Sequence, residues 1–218
     1  AWPSRGSAAE AADSIAACLE AVDLLDTLVL PDKVAARHPG TDPVRTLLQT
    51  SVDGLERLVA RAYQPGVGVL RRLPPGDGDG DNDGAASDSA DNDGDPRTQF
   101  AVAEALLRGY AVTGRVGYAM LAEELVLVAS RRWTPDSTDT RGDDADTTSR
   151  AVRVLCGLIA TGTSDASPGA SVERSTSYRR DAERALAGLA RRAARVQDAG
   201  HGVLAEYPAA LAEWLEVS

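Results

Sequence analysis

Residues 76–95 form the stretch that most restricts how this chain can fold. The sequence GDGDGDNDGAASDSADNDGD holds eight aspartates and five glycines, and no apolar side chain larger than alanine. Such a segment buries too little apolar surface to offset the entropy lost on ordering, so we expect a solvated loop or linker. The core must then come from residues 1–75, predicted as N-terminal helical hairpins, and 97–218, predicted as C-terminal hairpins of the same domain, with 76–96 as the linker.

The charge of the chain is concentrated in this acidic tract. The net charge is −10, but outside the tract 25 acidic residues face 23 basic ones. The chain has 22 Arg and one Lys, with 22 Asp against 11 Glu. A high-GC genome produces this bias, and so does a halophile, because aspartate keeps proteins hydrated and soluble in salt. The absence of a net positive field argues against nucleic acid as a partner.

Cysteine usage and hydropathy indicate the cellular compartment in which the protein is expected. Cys18 and Cys156 lie within apolar helical patterns with no CxxC spacing, which favours buried free thiols over a long-range disulfide. No apolar run approaches the roughly 18–20 residues of a membrane span, so no membrane association is predicted. The first residues, AWPSRGSAAEA, lack the basic start and apolar stretch of a signal peptide, and we expect a cytoplasmic protein.

Apolar residues recur with helical periodicity through most of the chain. Consecutive helices joined by polar turns predict αα-hairpins, and no strand-rich stretch or G-x-G-x-x-G motif indicates a Rossmann-type fold. The predicted class is therefore all-α, with Pro65–Leu73 as a short strand or extended segment. Seven helices are predicted: Ser7–Val29, Asp42–Tyr63 with Asp42 as N-cap, Thr98–Val112, Val116–Arg132, Asp146–Ala160, Ser177–Val196 and Val203–Val217, with a loop over Gly162–Thr176.

Several motifs in the second half resemble the C-terminal helical domain of YyaL-like proteins. They are a helix end A-x-A-L-L-x-x-Y-x-x-T-G at Ala103–Gly114, Tyr118, a Trp-x-x-Asp loop at Trp133 and Asp136, and the helices containing Ala151–Leu155 and Tyr178–Leu186. The resemblance covers about Arg97–Leu215. It departs from the family after Asp136, where STDTRGDDAD replaces the expected Gly-Gly-Phe-Phe-Asp turn.

The resemblance implies an (α/α)6 toroid of the six-hairpin glycosidase and N-acylglucosamine 2-epimerase type. Seven helices are about half of such a ring, so a fragment, a degenerate member or a subunit that needs a partner is expected. The partner would be an N-terminal thioredoxin-like domain or another chain. The toroid also implies a carbohydrate ligand in its concave centre, with four aromatic side chains as stacking candidates: Tyr110, Tyr118, Trp133 and Tyr207.

Glutamates are the candidate catalytic groups, as in glycosidases. Glu104, Glu123 and Glu206 are the positions considered. Glu123 and Glu124 are adjacent on a helix and point about 100° apart, so they cannot both face one substrate. Glu104 and Arg108 are spaced i,i+4, which is typical of a surface ion pair.

The remaining motifs are incomplete. Asp79, Asp81, Asp83 and Gly84 match the first half of an EF-hand loop, but Ala90 stands where a bidentate Glu is needed. His38 and His201 both lie in loop-like sequence. No metal site and no cofactor are therefore predicted. Six arginines form a basic helix face, interpreted as a solvated surface: Arg179, Arg180, Arg184, Arg191, Arg192 and Arg195.

Three hypotheses for function remain open. The first is a non-catalytic toroid-like domain that binds a saccharide-like ligand. The second is a sugar epimerase or glycosidase-type enzyme that uses one of the glutamates. The third is a helical scaffold for a partner chain.

Overall fold

The computed structural model describes residues 7–27, 42–73, 94–134, 142–165, 168–195 and 202–218. Within these ranges the fold is all-α, as predicted, with a single two-stranded hairpin. The EF-hand-like residues, His38 and His201 lie outside the described residues. The described helices are α1 (Ala8–Thr27), α2 (Pro43–Ala62), α3 (Pro96–Thr113), α4 (Val116–Ala129), α5 (Gly142–Asp165), α6 (Pro168–Arg195) and α7 (Gly202–Val217), and the strands are β1 (Tyr63–Gln64) and β2 (Gly68–Val69).

Capping residues set the starts of α2 and α3. The Asp42 carboxylate accepts hydrogen bonds from the backbone N–H groups of Val44 and Arg45, and Pro43 follows it, as the sequence predicts. Helix α3 repeats this arrangement, because Asp95 accepts from the N–H of Thr98 and precedes Pro96. Asp95 thus belongs to a helix start, and the prediction of a linker through residue 96 is wrong at its last residues.

The prediction of a loop over Gly162–Thr176 is also wrong. Helix α5 continues to Asp165, and helix α6 begins at Pro168, nine residues before the predicted start. Proline is favoured in the first turn of a helix because its missing N–H has no intrahelical acceptor there. The Ser, Thr and Gly content of this stretch therefore indicated a loop where most residues are helical.

Helix α3 lies at the centre of the packing. Helices α1, α3, α5 and α7 contact one another in series, while α2 packs on α1, α4 on α3 and α6 on α5 and α7. Residues on nearly all sides of α3 are buried, and Phe100 and Leu106 are inaccessible to solvent. The hydrophobic core is continuous from Ala8 to Ala210, so residues on both sides of the acidic tract share it.

A buried amide connects α3 to the β-hairpin. The Gln99 side chain accepts a hydrogen bond from the N–H of Val69 (3.0 Å) and donates one to the Val69 carbonyl (2.8 Å). Gly94 is packed so closely here that a Cβ atom would lie 1.8 Å from Gln99 Nε2. Gln99 therefore completes the hydrogen bonding of a strand residue that has no further strand beside it.

Among the described residues, no helix combines the length and the apolar character needed to cross a membrane.

Replacing Gln99 with leucine tests the amide contact. Gln99→Leu leaves the N–H and the carbonyl of Val69 buried without partners, and we expect the free energy of unfolding to fall by about 2–4 kcal/mol. The matched control is Gln49→Leu, because Gln49 is exposed on α2. It should change stability by less than about 0.5 kcal/mol. Urea denaturation measures both, and equal effects of the two substitutions would contradict this account.

Candidate functional site

A cleft of about 300 Å³ lies between α3, α5 and α7. Its polar side chains come from all three helices, and Tyr110 is its aromatic lining residue. The apolar part of its wall includes Leu107 and Val154. At Gly157 the helices approach closely, since a Cβ atom there would lie 2.9 Å from a methyl carbon of Leu107. The four charged residues that line the cleft are Glu104, Arg108, Arg153 and Glu213.

Glu104 is the most enclosed carboxylate of the cleft. Its side chain is 14% exposed and contacts two guanidinium groups of α5. Arg153 Nε donates to Glu104 Oε1 at 3.0 Å, and Arg150 Nη1 donates to Glu104 Oε2 at 3.1 Å. The side chain of Arg150 is 10% exposed and also pairs with Asp13 of α1. This Glu104 cluster (Asp13, Glu104, Arg150 and Arg153) therefore connects three helices by charge.

Glu213 is the second carboxylate of the cleft, and its main ionic partner is Arg108. Arg108 Nη2 lies 3.3 Å from Glu213 Oε1. Partial burial raises the pKa of Glu213, and the nearby Glu216 and Glu104 act in the same direction, while Arg108 and Arg153 oppose the shift. The cleft thus contains a carboxylate enclosed by two arginines and another whose protonated form is favoured by burial.

The predicted surface pair between Glu104 and Arg108 is wrong. Although the two residues are one helical turn apart, Glu104 binds arginines of α5, and Arg108 binds Glu213 of α7. Each of the two side chains forms its ion pair with a residue of another helix. Glu104 requires such partners because it is too enclosed to be hydrated by solvent. Local spacing therefore identified two charged residues of the site but not their partners.

Glu123 lies in a different groove, between α4 and α6. The groove has a volume of about 210 Å³, and Tyr110 and Tyr178 are among its lining residues. Glu123 Oε1 accepts hydrogen bonds from the Tyr178 hydroxyl (2.8 Å) and from Arg174 Nη1 (3.1 Å). Burial and the bond to Glu123 raise the pKa of Tyr178, so this hydroxyl stays a donor.

The two adjacent glutamates of α4 diverge as predicted. Glu124 accepts a hydrogen bond from the Tyr63 hydroxyl at 2.7 Å, away from Tyr178 and Arg174. The structure therefore does not bring the predicted catalytic glutamates together: Glu104 and Glu123 lie in separate grooves, which share Tyr110 and Thr161 as lining residues. Glu206 lies in α7 at a position whose side chain is outside the described residues.

The predicted stacking aromatics occupy different environments. Tyr110 lines both grooves. Trp133 is 7% exposed in the core and meets the edge of Phe100 at a ring distance of 5.2 Å. Tyr118 donates its hydroxyl to Glu56, and Tyr207 packs against the core. Of these four, Tyr110 is thus the residue that reaches a cleft between helices.

Sequence reasoning did not identify Arg153, Tyr178 or Glu213 as site residues. Glu213 is one of several acidic residues on an otherwise apolar C-terminal helix, and no local spacing distinguishes it. Its role depends on the packing of α7 on α5 and α6, which places Glu213 within reach of Arg108 of α3. Tyr178 was recognised as part of a family-like motif, but its contact with Glu123 joins residues 55 positions apart.

The basic face of α6 is partly engaged with α7. Arg179 donates to the Val217 carbonyl at 3.0 Å, and its guanidinium lies 5.7 Å from the centre of the Trp214 ring. Cys18 and Cys156 are free thiols, but only Cys156 is buried as predicted, whereas Cys18 is half-buried. Burial raises the pKa of Cys156 to about 12, so this thiol stays protonated at neutral pH.

In the part of the chain that the structure describes, no three His, Cys, Asp or Glu side chains are grouped to hold a metal ion. Comparison with protein-family models, with curated proteins and with solved structures finds no match to this chain.

Removing the charge of Glu104 tests whether its cluster holds the helices together. Glu104→Gln leaves two enclosed arginines without their shared carboxylate, and we expect a loss of about 3 kcal/mol or more in the free energy of unfolding. The matched control is Glu56→Gln, because the Glu56–Arg115 pair is 53% exposed on both sides. That control should cost less than about 1 kcal/mol in denaturant unfolding. A small effect of Glu104→Gln on the free energy of unfolding would contradict the claim that this cluster stabilises the packing of the helices.

The raised pKa of Glu213 predicts a pH-dependent contribution to stability. Folding favours the protonated carboxyl, so the contribution is complete below the unfolded pKa of about 4.3 and is lost as pH rises through the folded pKa. Glu213→Gln keeps a neutral side chain at every pH. Its stability relative to the native chain should therefore rise between pH 4 and pH 7, whereas Glu183→Gln, at an exposed site of α6, should show no such trend. Denaturant unfolding across this pH range measures the difference, and parallel profiles would refute the assignment.

Proposed function

We propose that this chain is a helical domain that binds a small, hydroxyl-rich ligand of the saccharide class in the cleft between α3, α5 and α7. The observation that carries the proposal is that two carboxylates and two guanidinium groups line one cleft, beside an aromatic ring. Glu104, Arg153, Arg108 and Glu213 supply the charged groups, and Tyr110 supplies the ring.

This chemistry suits a ligand with many hydroxyl groups. Each hydroxyl can donate to a carboxylate and accept from a guanidinium, so a sugar uses both kinds of group at once. The side chains are already held by their ion pairs, which reduces the entropy lost when a ligand binds. The apolar wall at Leu107 and Val154 suits the C–H face of a sugar ring.

The packing of the helices supports a relation to YyaL-like proteins. Helices α1, α3, α5 and α7 contact in series with α2, α4 and α6 packed beside them, which is the arrangement expected for part of an α/α toroid. In this proposal the domain works together with a thioredoxin-like domain or another chain in the cytoplasm. The salt-adapted source stays a prediction from composition.

Binding is tested by calorimetric titration of the full chain with a panel of mono- and disaccharides at millimolar concentration. We expect at least one sugar to bind the native chain, and Glu213→Gln to weaken that binding tenfold or more, about 1.4 kcal/mol. Glu213→Gln removes an acceptor at a site that is a third exposed. Circular dichroism first confirms that each variant is folded.

The matched control is Glu183→Gln, which makes the same chemical change on the exposed side of α6. It should bind sugar as the native chain does. If no sugar binds at millimolar concentration, the proposal fails. It also fails if Glu183→Gln and Glu213→Gln weaken binding equally.

Catalysis is the second candidate function, because Glu104 and Glu213 differ in environment within one cleft. Burial raises the pKa of Glu213, and a carboxyl group of raised pKa is suited to act as a general acid. In an epimerase or glycosidase-type enzyme, Glu213→Gln would bind sugar but lose turnover. Unchanged product formation in that variant would exclude Glu213 as the acid.

A further inference from the structure

The cleft between α3, α5 and α7 adjoins the groove between α4 and α6 at two residues. Tyr110, near the end of α3, and Thr161, near the end of α5, line both cavities. Both residues are partly exposed, so solvent reaches the boundary between the cavities. A ligand can therefore extend from the cleft into the groove over these two side chains.

The groove is spanned by polar side chains. Helix α4 packs mainly on α3, while α6 packs on α5 and α7. Glu123 of α4 reaches across the space between them and accepts hydrogen bonds from Tyr178 and Arg174 of α6. These bonds hold the polar groups in place before a ligand arrives, which reduces the entropy lost on binding.

The groove offers hydrogen-bonding groups to a ligand with hydroxyls. Within the described residues, both hydrogen bonds to Glu123 end on Oε1, and each carboxylate oxygen has two lone pairs, so Oε2 can accept from a ligand. The Thr161 hydroxyl donates to the Leu158 carbonyl at 3.0 Å, which leaves its oxygen as an acceptor. Ser175 adds a second hydroxyl, and Leu158 and Ala119 supply apolar surface.

The sizes of the cavities favour an elongated ligand. Ligand pockets typically measure about 300–1,000 Å³. The groove, at about 210 Å³, falls below this range, and the cleft, at about 300 Å³, lies at its lower limit. Taken together across Tyr110 they lie within it. Beyond Glu123, a further space of about 310 Å³ shares Tyr178 with the groove and extends to Glu124 and Ser177, so the groove does not end there.

We propose that the ligand is an oligosaccharide of at least two units, with one ring in the cleft, the next in the groove and the bond between them at Tyr110. This inference rests on the proposed function of the cleft and adds a second subsite to it. Carboxylate and tyrosine occur together in both places, as Glu213 with Tyr110 in the cleft and Glu123 with Tyr178 in the groove. A repeating ligand meets the same chemistry twice, because every sugar unit carries hydroxyl edges and a C–H face.

Isothermal titration calorimetry of the full chain tests the second subsite by comparing monosaccharides with disaccharides that contain them. The probes are glucose with maltose and cellobiose, galactose with lactose, and N-acetylglucosamine with chitobiose. For at least one set, the native chain should bind the disaccharide about tenfold more tightly than the monosaccharide. Glu123→Gln removes a charged acceptor from the groove, so it should weaken disaccharide binding about tenfold and leave monosaccharide binding unchanged.

The matched control is Glu183→Gln, the same chemical change at an exposed site of α6 that lines neither cavity. It should leave both affinities unchanged. Glu213→Gln separates this inference from the proposed function, because it should weaken monosaccharide and disaccharide alike.

The second subsite is refuted, and the proposed function stands, if monosaccharides bind through Glu213 but no disaccharide binds more tightly. The same conclusion follows if Glu123→Gln leaves disaccharide binding intact or weakens both kinds of sugar equally. If neither kind of sugar binds the native chain, the proposed function fails and this inference fails with it.

Discussion

The enclosure of α3 is the constraint on which the rest of the structure depends. A helix surrounded by α1, α4 and α5 must be apolar almost all round, and α3 satisfies this with small and apolar residues such as Ala103, Phe100 and Leu106. Glu104 is the most enclosed charged residue of this helix. Its carboxylate can be enclosed only because Arg150 and Arg153 compensate for the lost hydration. The position of α5 beside α3 is therefore set by charge as well as by apolar contact.

The ion pairs of Glu104 also determine which charged groups line the cleft. Arg153 pairs with Glu104, and Arg108 pairs with Glu213 on α7, so both ion pairs line the space between the helices. The burial of Glu213 opposes its ionisation, which makes the docking of α7 sensitive to pH. If the cleft binds the proposed ligand, the structural ion pairs and the ligand-binding groups are the same side chains, and stability and function are coupled at this position.

The sequence predicts the elements better than it predicts the site. Asp42–Pro43 and Thr113–Gly114 locate helix ends because capping depends on residues adjacent in the chain. The start of α6 was missed because its Ser- and Thr-rich first turns resemble a loop. The sequence indicates Glu104 as a candidate, but its partners lie 46 and 49 residues away on another helix. No sequence pattern around Glu213 marks it as a site residue, since its environment depends on how α7 packs.

The measurement that tests the central claim most directly is a two-dimensional amide NMR titration of the uniformly ¹⁵N-labelled chain with the sugar panel. The account predicts that the amide shifts perturbed by a bound sugar cluster around Glu104, Arg153 and Glu213, and include that of Tyr110. Shifts confined to the groove around Glu123 and Tyr178, or no shifts at millimolar sugar, would contradict the claim that the cleft between α3, α5 and α7 is the binding site.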